Sequence, residues 1–201
     1  AFDYQADVVI VGGSFAGWSA ALQLGRARRT TLVVDSGKPR NRFAAASHGL
    51  FGHDGKAPFE LLKEARQQAL RYPTVLHWEA EVTSSRKAGD GLFEVGLASQ
   101  RSVSARRIIL ATGVRDVLPG IPGIQERWGV PALHCPYCHG HEFAGEALGV
   151  LARSPHSVHQ ALLVSEWGPV VLFTQGVLEP TEDELAQLSE RGVAVERTAV
   201  T

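Results

Sequence analysis

Hydrophobic positions in this chain fall in short runs divided by polar turns, and the first run, Val8-Val9-Ile10-Val11 after Asp7, shows no polar alternation at all. An unbroken apolar run of that length predicts a strand covered on both faces, as in a parallel sheet. It leads straight into Gly12-Gly13-Ser14-Phe15-Ala16-Gly17, after which Ala20, Ala21, Leu24 and Ala27 recur on the apolar side of a helix through about Arg28. Thr31-Leu32-Val33-Val34 predicts a second strand that ends in Asp35. Strand, glycine turn, helix and strand in that order make a βαβ unit.

The pattern continues through the rest of the chain. Arg40-Asn41-Arg42-Phe43 leads into a polar loop, Ser47 to Gly55, that holds His48 and His53. Pro58 opens a predicted helix with Phe59, Leu62, Ala65 and Ala69 spaced for one buried face. Val75 to Val82 predicts one strand and Leu92 to Leu97 another, with Phe93, Val95 and Leu97 on one side. Arg107 to Gly113 predicts a buried strand ending in the small residues Ala111-Thr112-Gly113. Leu118-Pro119-Gly120-Ile121-Pro122-Gly123 then has the composition of a linker. Beyond it come strands over Leu148 to Ala152, Val170 to Phe173 and Val193 to Val195, and a helix over Ser157 to Ser165. A further helix, capped by Thr181 and Glu184, runs to about Glu190. These later pieces read as a second three-layer α/β domain cut short.

Composition narrows the function classes. At 44% hydrophobic and 20% charged the chain can bury a core, and its net charge of −1, with no basic run, gives no electrostatic footprint for nucleic acid or an anionic membrane. The apolar stretches are strand-sized, so no membrane partner is expected. The chain opens on Ala1-Phe2-Asp3, without the basic start of a signal peptide, and a cytoplasmic location is the expectation.

Two sites of chemistry stand out. In the first, Gly12 permits a tight turn, Gly17 permits close packing of helix on strand, and the helix start faces a pyrophosphate. Ser14 stands where the strict fingerprint has a second glycine and brings a small hydroxyl donor, while Asp35 sits where ribose hydroxyls need an acceptor. The second is Cys135-Pro136-Tyr137-Cys138, followed by His139, and these are the only cysteines. Two intervening residues let a thiol pair close into a disulfide and exchange electrons. Two other readings stand beside it. His134, Cys135, Cys138, His139 and His141 offer ligands to zinc, although more compactly than the usual two separated pairs, and the cysteine pair could be inert.

With the Gly12 to Gly17 loop, Asp35, the Ala111-Thr112-Gly113 strand end, the Pro-rich hinge and the CxxC in place, the chain resembles the thioredoxin-reductase-like FAD-dependent pyridine nucleotide-disulfide oxidoreductases, in their Cys-x-x-Cys-His-Gly form. The resemblance runs over essentially the whole chain. It implies an α/β fold with a Rossmann-like FAD-binding domain over 1–117, followed by an incomplete, degenerate NAD(P)-type domain over 118–201 that carries the redox pair. FAD contacts are then expected from Gly12, Ser14, Phe15, Ala16 and Gly17, from Asp35, Ser36, Arg40 and Asn41, and from Val82, Ala111, Thr112 and Gly113. No metal is implied.

The activity implied is a FAD-dependent thiol:disulfide oxidoreductase passing electrons between a dithiol or disulfide substrate, the Cys135/Cys138 disulfide and flavin. Its partner is a small molecule or a thioredoxin-like protein, and a homodimer is the assembly the resemblance raises. By analogy Cys138 lies on the flavin side, Cys135 exchanges with substrate, and His139 takes the place of the family's acidic proton carrier, imidazole being able to do that work near neutrality. Against this stand an NAD(P)H-dependent reductase of thioredoxin type, a noncatalytic nucleotide- or zinc-binding module, and a merely capping or surface role for His139. The second nucleotide loop departs from the family, with Ala152 and Ser154 where glycines are expected and no basic cluster in Thr174-Gln175-Gly176-Val177, so NADPH is expected to bind poorly. The family also returns to its first domain with a further strand and a Gly-Asp segment, which residues 1–201 do not reach.

Overall fold

The computed structural model describes residues 2–201. They form two compact units, residues 2–46 with 55–116 and residues 47–54 with 117–201.

The first unit contains β1 (Tyr4–Val11), α1 (Phe15–Arg26), β2 (Thr31–Asp35), α2 (Pro58–Leu70), β3 (Val75–Glu79), β4 (Val82–Lys87), β5 (Phe93–Leu97) and β6 (Ser102–Leu110). They build one sheet in the order β3-β2-β1-β6-β5-β4. The four strands from β3 to β6 are parallel, and β5 and β4 continue antiparallel. Val8, Ile10 and Val33 pack with Trp18, Ala21 and Ala69 of the helices, whereas Val9, Leu32 and Val34 pack with Val95, Leu97 and Val103. Both faces of the parallel strands are covered, which is the reason their sequences show no alternation.

Three expectations need correction here. The strand expected over Val75 to Val82 is two strands, because β3 pairs with β2 at one end of the sheet and β4 pairs with β5 at the other. Only Ala80 and Glu81 separate them, and apolar residues on either side of that break hide it from a hydrophobicity reading. The strand expected from Arg107 to Gly113 instead begins at Ser102 and ends at Leu110. Its front half looks too polar to be buried, yet Ser104 is 2% exposed because β1 and β5 pair with that stretch from opposite sides. In α2, Phe59 is 72% exposed while Leu61 is buried. Pro58, Leu61, Leu62, Ala65 and Ala69 follow the helical stripe, and Phe59 projects about 100° away from Pro58.

The second unit contains α3 (Ile124–Arg127), α4 (Pro136–His139), β7 (Leu148–Leu151), α5 (His156–Val164), β8 (Val170–Phe173), α6 (Glu182–Glu190) and β9 (Ala194–Glu196). Its sheet is parallel, ordered β7-β8-β9, over a core that includes Val150, Ala161, Leu172 and Leu188. The expected capping box is present: the Thr181 hydroxyl accepts from the Glu184 amide at 3.3 Å, and the Glu184 carboxylate accepts from the Thr181 amide at 2.8 Å. Among the described residues no helix is long and apolar enough to cross a membrane.

Candidate functional site

In the first unit the carboxyl ends of β1, β2 and β6 border a cleft of about 280 Å³. The turn leaving β1 passes so close to the end of β6 that a Cβ on Gly12, where φ is 103°, would lie 2.3 Å from the Ala111 carbonyl oxygen. Only glycine fits there. A Cβ on Gly17 would lie 1.9 Å from the Gly12 carbonyl oxygen, so the first turn of α1 rests directly on the glycine loop. Ser14 is the N-cap of α1, and among the described residues its side chain makes no capping bond. Asp35 closes the other side: its Oδ1 accepts from the Gly13 amide at 3.0 Å, and its second oxygen remains an acceptor for a hydroxyl. A bare backbone turn, a helix start and a carboxylate fit a dinucleotide and its ribose.

Of the expected FAD contacts, Gly12, Ser14, Asp35, Ser36, Arg40, Val82, Ala111, Thr112 and Gly113 line this cleft. Phe15, Ala16, Gly17 and Asn41 do not. Gly17 is a packing residue, and the Asn41 Oδ1 is buried with no hydrogen-bond partner among the described residues. The Arg40 guanidinium makes a two-pronged bond to Asp116, at 2.8 and 2.5 Å, so part of its charge is already answered. Lys38, Ala80 and Glu81 also line the cleft and went unread in the sequence. The break between β3 and β4 brings Ala80 and Glu81 there, and a continuous-strand reading conceals it.

His77 lies next to this region on β3, its ring tilted by 53° against Trp18 at 5.4 Å between ring centres. Burial, and then the Arg66 charge, hold its imidazole below the ordinary value of 6.5, against the opposing pull of Asp35 and Glu79. Its Nε2 is buried and has no hydrogen-bond partner among the described residues.

In the second unit Cys135 is the N-cap of α4, with Pro136, Tyr137, Cys138 and His139 making its single turn. Proline suits the first helical position because it has no N–H to leave unpaired. Cys135 is half-buried and Cys138 exposed. His139 is half-buried at the end of α4, where the chain enters a 3₁₀ turn over Gly140–Phe143. The turn is held from below by Trp167: Tyr137 meets its ring edge-on at 5.6 Å, and a Cβ on Gly140 would fall 2.8 Å from it. His134 stands against Trp128 at 6.1 Å. Among the described residues no group of three or more His, Cys, Asp or Glu side chains could hold a metal ion, so the histidines around the CxxC do not gather into a zinc site there.

The turn between β7 and α5, where a second dinucleotide phosphate is expected by analogy, is filled by the chain itself. The Ser157 hydroxyl, in a residue only 5% exposed, accepts from the amides of Arg153 at 3.0 Å and Ser154 at 3.4 Å. Those amides are the donors an incoming phosphate needs.

Comparison with known proteins agrees with this anatomy. The family profile described as pyridine nucleotide-disulphide oxidoreductase matches residues 6–136. The thioredoxin reductase tcpT of Claviceps purpurea is 39% identical over 162 residues, 79% of this chain and 50% of its own length. The thioredoxin reductase sirT of Leptosphaeria maculans is 34% identical over 194 residues, 88% of this chain and 58% of its own. Among solved structures, an oxidoreductase from Agrobacterium tumefaciens superposes with a TM-score of 0.93 at 52% identity, covering 97% of this chain and 66% of that one. The chain thus spans about half the length of the curated relatives it matches. From the first strand of the cleft to the first cysteine the match is continuous, and the chain belongs to the thioredoxin-reductase-like pyridine nucleotide-disulphide oxidoreductases, a family of FAD-binding flavoproteins.

Proposed function

We propose that this chain is the FAD- and disulfide-bearing part of a thiol:disulfide oxidoreductase that oxidises a dithiol. The observation that carries the choice of dithiol over pyridine nucleotide is the Ser157 hydroxyl occupying the Arg153 and Ser154 amides. A side chain already bonded there, followed by Pro155, leaves no bare amide cradle for a second pyrophosphate.

FAD, held by the Gly12 turn, the start of α1 and Asp35, supplies the two-electron partner of the cysteine pair. The chain's own residues manage the thiol chemistry. A substrate thiolate attacks the Cys135 sulfur of the oxidised pair, forming a mixed disulfide and releasing Cys138 as thiolate. The second substrate thiol gives its proton to His139 and attacks the substrate sulfur of that mixed disulfide, which releases Cys135 as thiolate. The substrate leaves as a disulfide, two electrons lower, and the cysteine pair holds those electrons. His139 passes its proton to solvent. The single helical turn, resting on Trp167, keeps both sulfurs on one short rigid segment.

The test is anaerobic reduction of the purified yellow protein. A small dithiol such as dithiothreitol should bleach the flavin band readily, NADPH should do so slowly or not at all, and Cys135→Ser or Cys138→Ser should abolish bleaching by the dithiol while leaving bound flavin in place. Rapid bleaching by micromolar NADPH would instead support the thioredoxin-reductase activity that the names of the Claviceps and Leptosphaeria relatives carry.

A further inference from the structure

Residues 47–54 lie in the chain between β2 and α2, yet they group with the unit that carries the cysteines. One side chain accounts for part of that attachment. The His48 imidazole stands between two carboxylates: its Nδ1 is 3.7 Å from Asp54 Oδ1, in its own loop, and its Nε2 is 3.4 Å from Glu142 Oε1. Glu142 belongs to the 3₁₀ turn that continues directly from Cys138 and His139. Asp54 is further fixed because its Oδ1 accepts from the Gly49 amide at 2.8 Å, and the Leu50 to His53 turn is closed by a backbone bond of 2.9 Å. The loop is therefore a preformed bracket, and His48 is the group that spans from it to the redox turn.

The ring has a nitrogen for each carboxylate, and among the described residues the carboxylates within 4 Å of it are Asp54 from the loop and Glu142 from the turn. We propose that His48 is a positioning residue which fastens residues 47–54 to the turn behind Cys138. Its bearing on turnover rests on the reading above that Cys135 and Cys138 are the redox pair, while the attachment itself does not.

Phe51 is fully exposed and Leu50 is 44% exposed, so chymotrypsin can report on this loop directly. On the full-length holoprotein, His48→Gln and Glu142→Gln should each be cleaved at Leu50 and Phe51 about three- to ten-fold faster than the wild type at the same pH, with far-UV circular dichroism and flavin absorbance unchanged. Both side chains are partly exposed, so the fold does not depend on them. Dithiol turnover should fall in both variants through kcat, with KM for the dithiol unchanged. A wild-type cleavage rate equal to that of His48→Gln overturns the proposal. Failure of the redox reading would appear separately, as absent dithiol turnover in a protein whose cleavage still follows His48, an outcome that upholds the bracket.

Discussion

Replacing Asp35 by alanine removes one carboxylate that performs two tasks, and the two losses fall in different measurements. In the protein without cofactor, Asp35 Oδ1 is the acceptor for the buried Gly13 amide at 3.0 Å. Leaving that amide unpaired costs about 1–3 kcal/mol. For a chain of this size each kcal/mol lowers Tm by roughly 2–4 °C, so the apoprotein should melt about 2–12 °C earlier. In the protein with FAD, the proposed bond from a ribose hydroxyl to this charged acceptor is lost as well, worth about 1.5–3 kcal/mol, which raises the FAD Kd about 10- to 150-fold. Asp35→Asn separates the tasks: it keeps an oxygen for Gly13 and gives up the charge, so its apoprotein should lose less stability than Asp35→Ala while its FAD affinity still drops. Thermal melts of apoprotein and a fluorescence titration with FAD read the two quantities. An alanine variant that binds FAD within about threefold of wild type would show that Asp35 only braces the loop.

Gly17→Ala should destabilise the protein by about 1–3 kcal/mol or prevent its folding, since the added carbon falls 1.9 Å from the Gly12 carbonyl oxygen and α1 must back away from the turn; chemical denaturation measures it, and an unchanged midpoint would contradict the packing described. For His77, burial followed by the Arg66 charge lowers the folded-state value below the ordinary 6.5, so the unfolded chain binds more protons as pH falls through the imidazole range, and stability decreases on acidification from neutrality until the folded value is passed. His77→Phe should remove that part of the slope, and equal slopes in the two proteins across pH about 5 to 8 would refute it.

The cleft was legible because the parts that shape it are neighbours in sequence: Gly12 and Ser14 line it, Gly17 packs α1 against it within the same six residues, and Asp35 follows one helix and one strand later. Fixed offsets of that kind survive translation into space. Lys38 and Glu81 were not legible, since nothing local marks a lysine or glutamate as bordering a cleft, and the strand break that places Glu81 there carries no proline or glycine. His48 was harder still. Its partner Glu142 is 142 − 48 = 94 residues away, and a contact between ordinary polar residues leaves no periodic or compositional trace. The missing glycines after β7 were readable, but the Ser157 hydroxyl that takes up the vacated amides needed coordinates, because serine in a first helical turn is common for many other reasons.

The pairing of β1 with β6 also sets a schedule for the chain as it is made. Tyr4 is in register with Val103 and Val11 with Leu110, so one edge of the first strand waits for a partner encoded about a hundred residues downstream. At a synthesis rate of roughly 5–20 residues per second, that edge stays open for about 5–20 s after it leaves the ribosome. Closing β1 onto β2 and α1 is local and fast; closing it onto β6 is a long-range event that pays loop entropy late. Because the Gly12 turn is shaped against Ala111, just past the end of β6, the nascent protein cannot present a finished FAD cleft any earlier. Cofactor capture thus belongs at the end of folding for this unit, and an early-exposed strand of Val and Ile is the segment that a holding chaperone has reason to cover in the meantime.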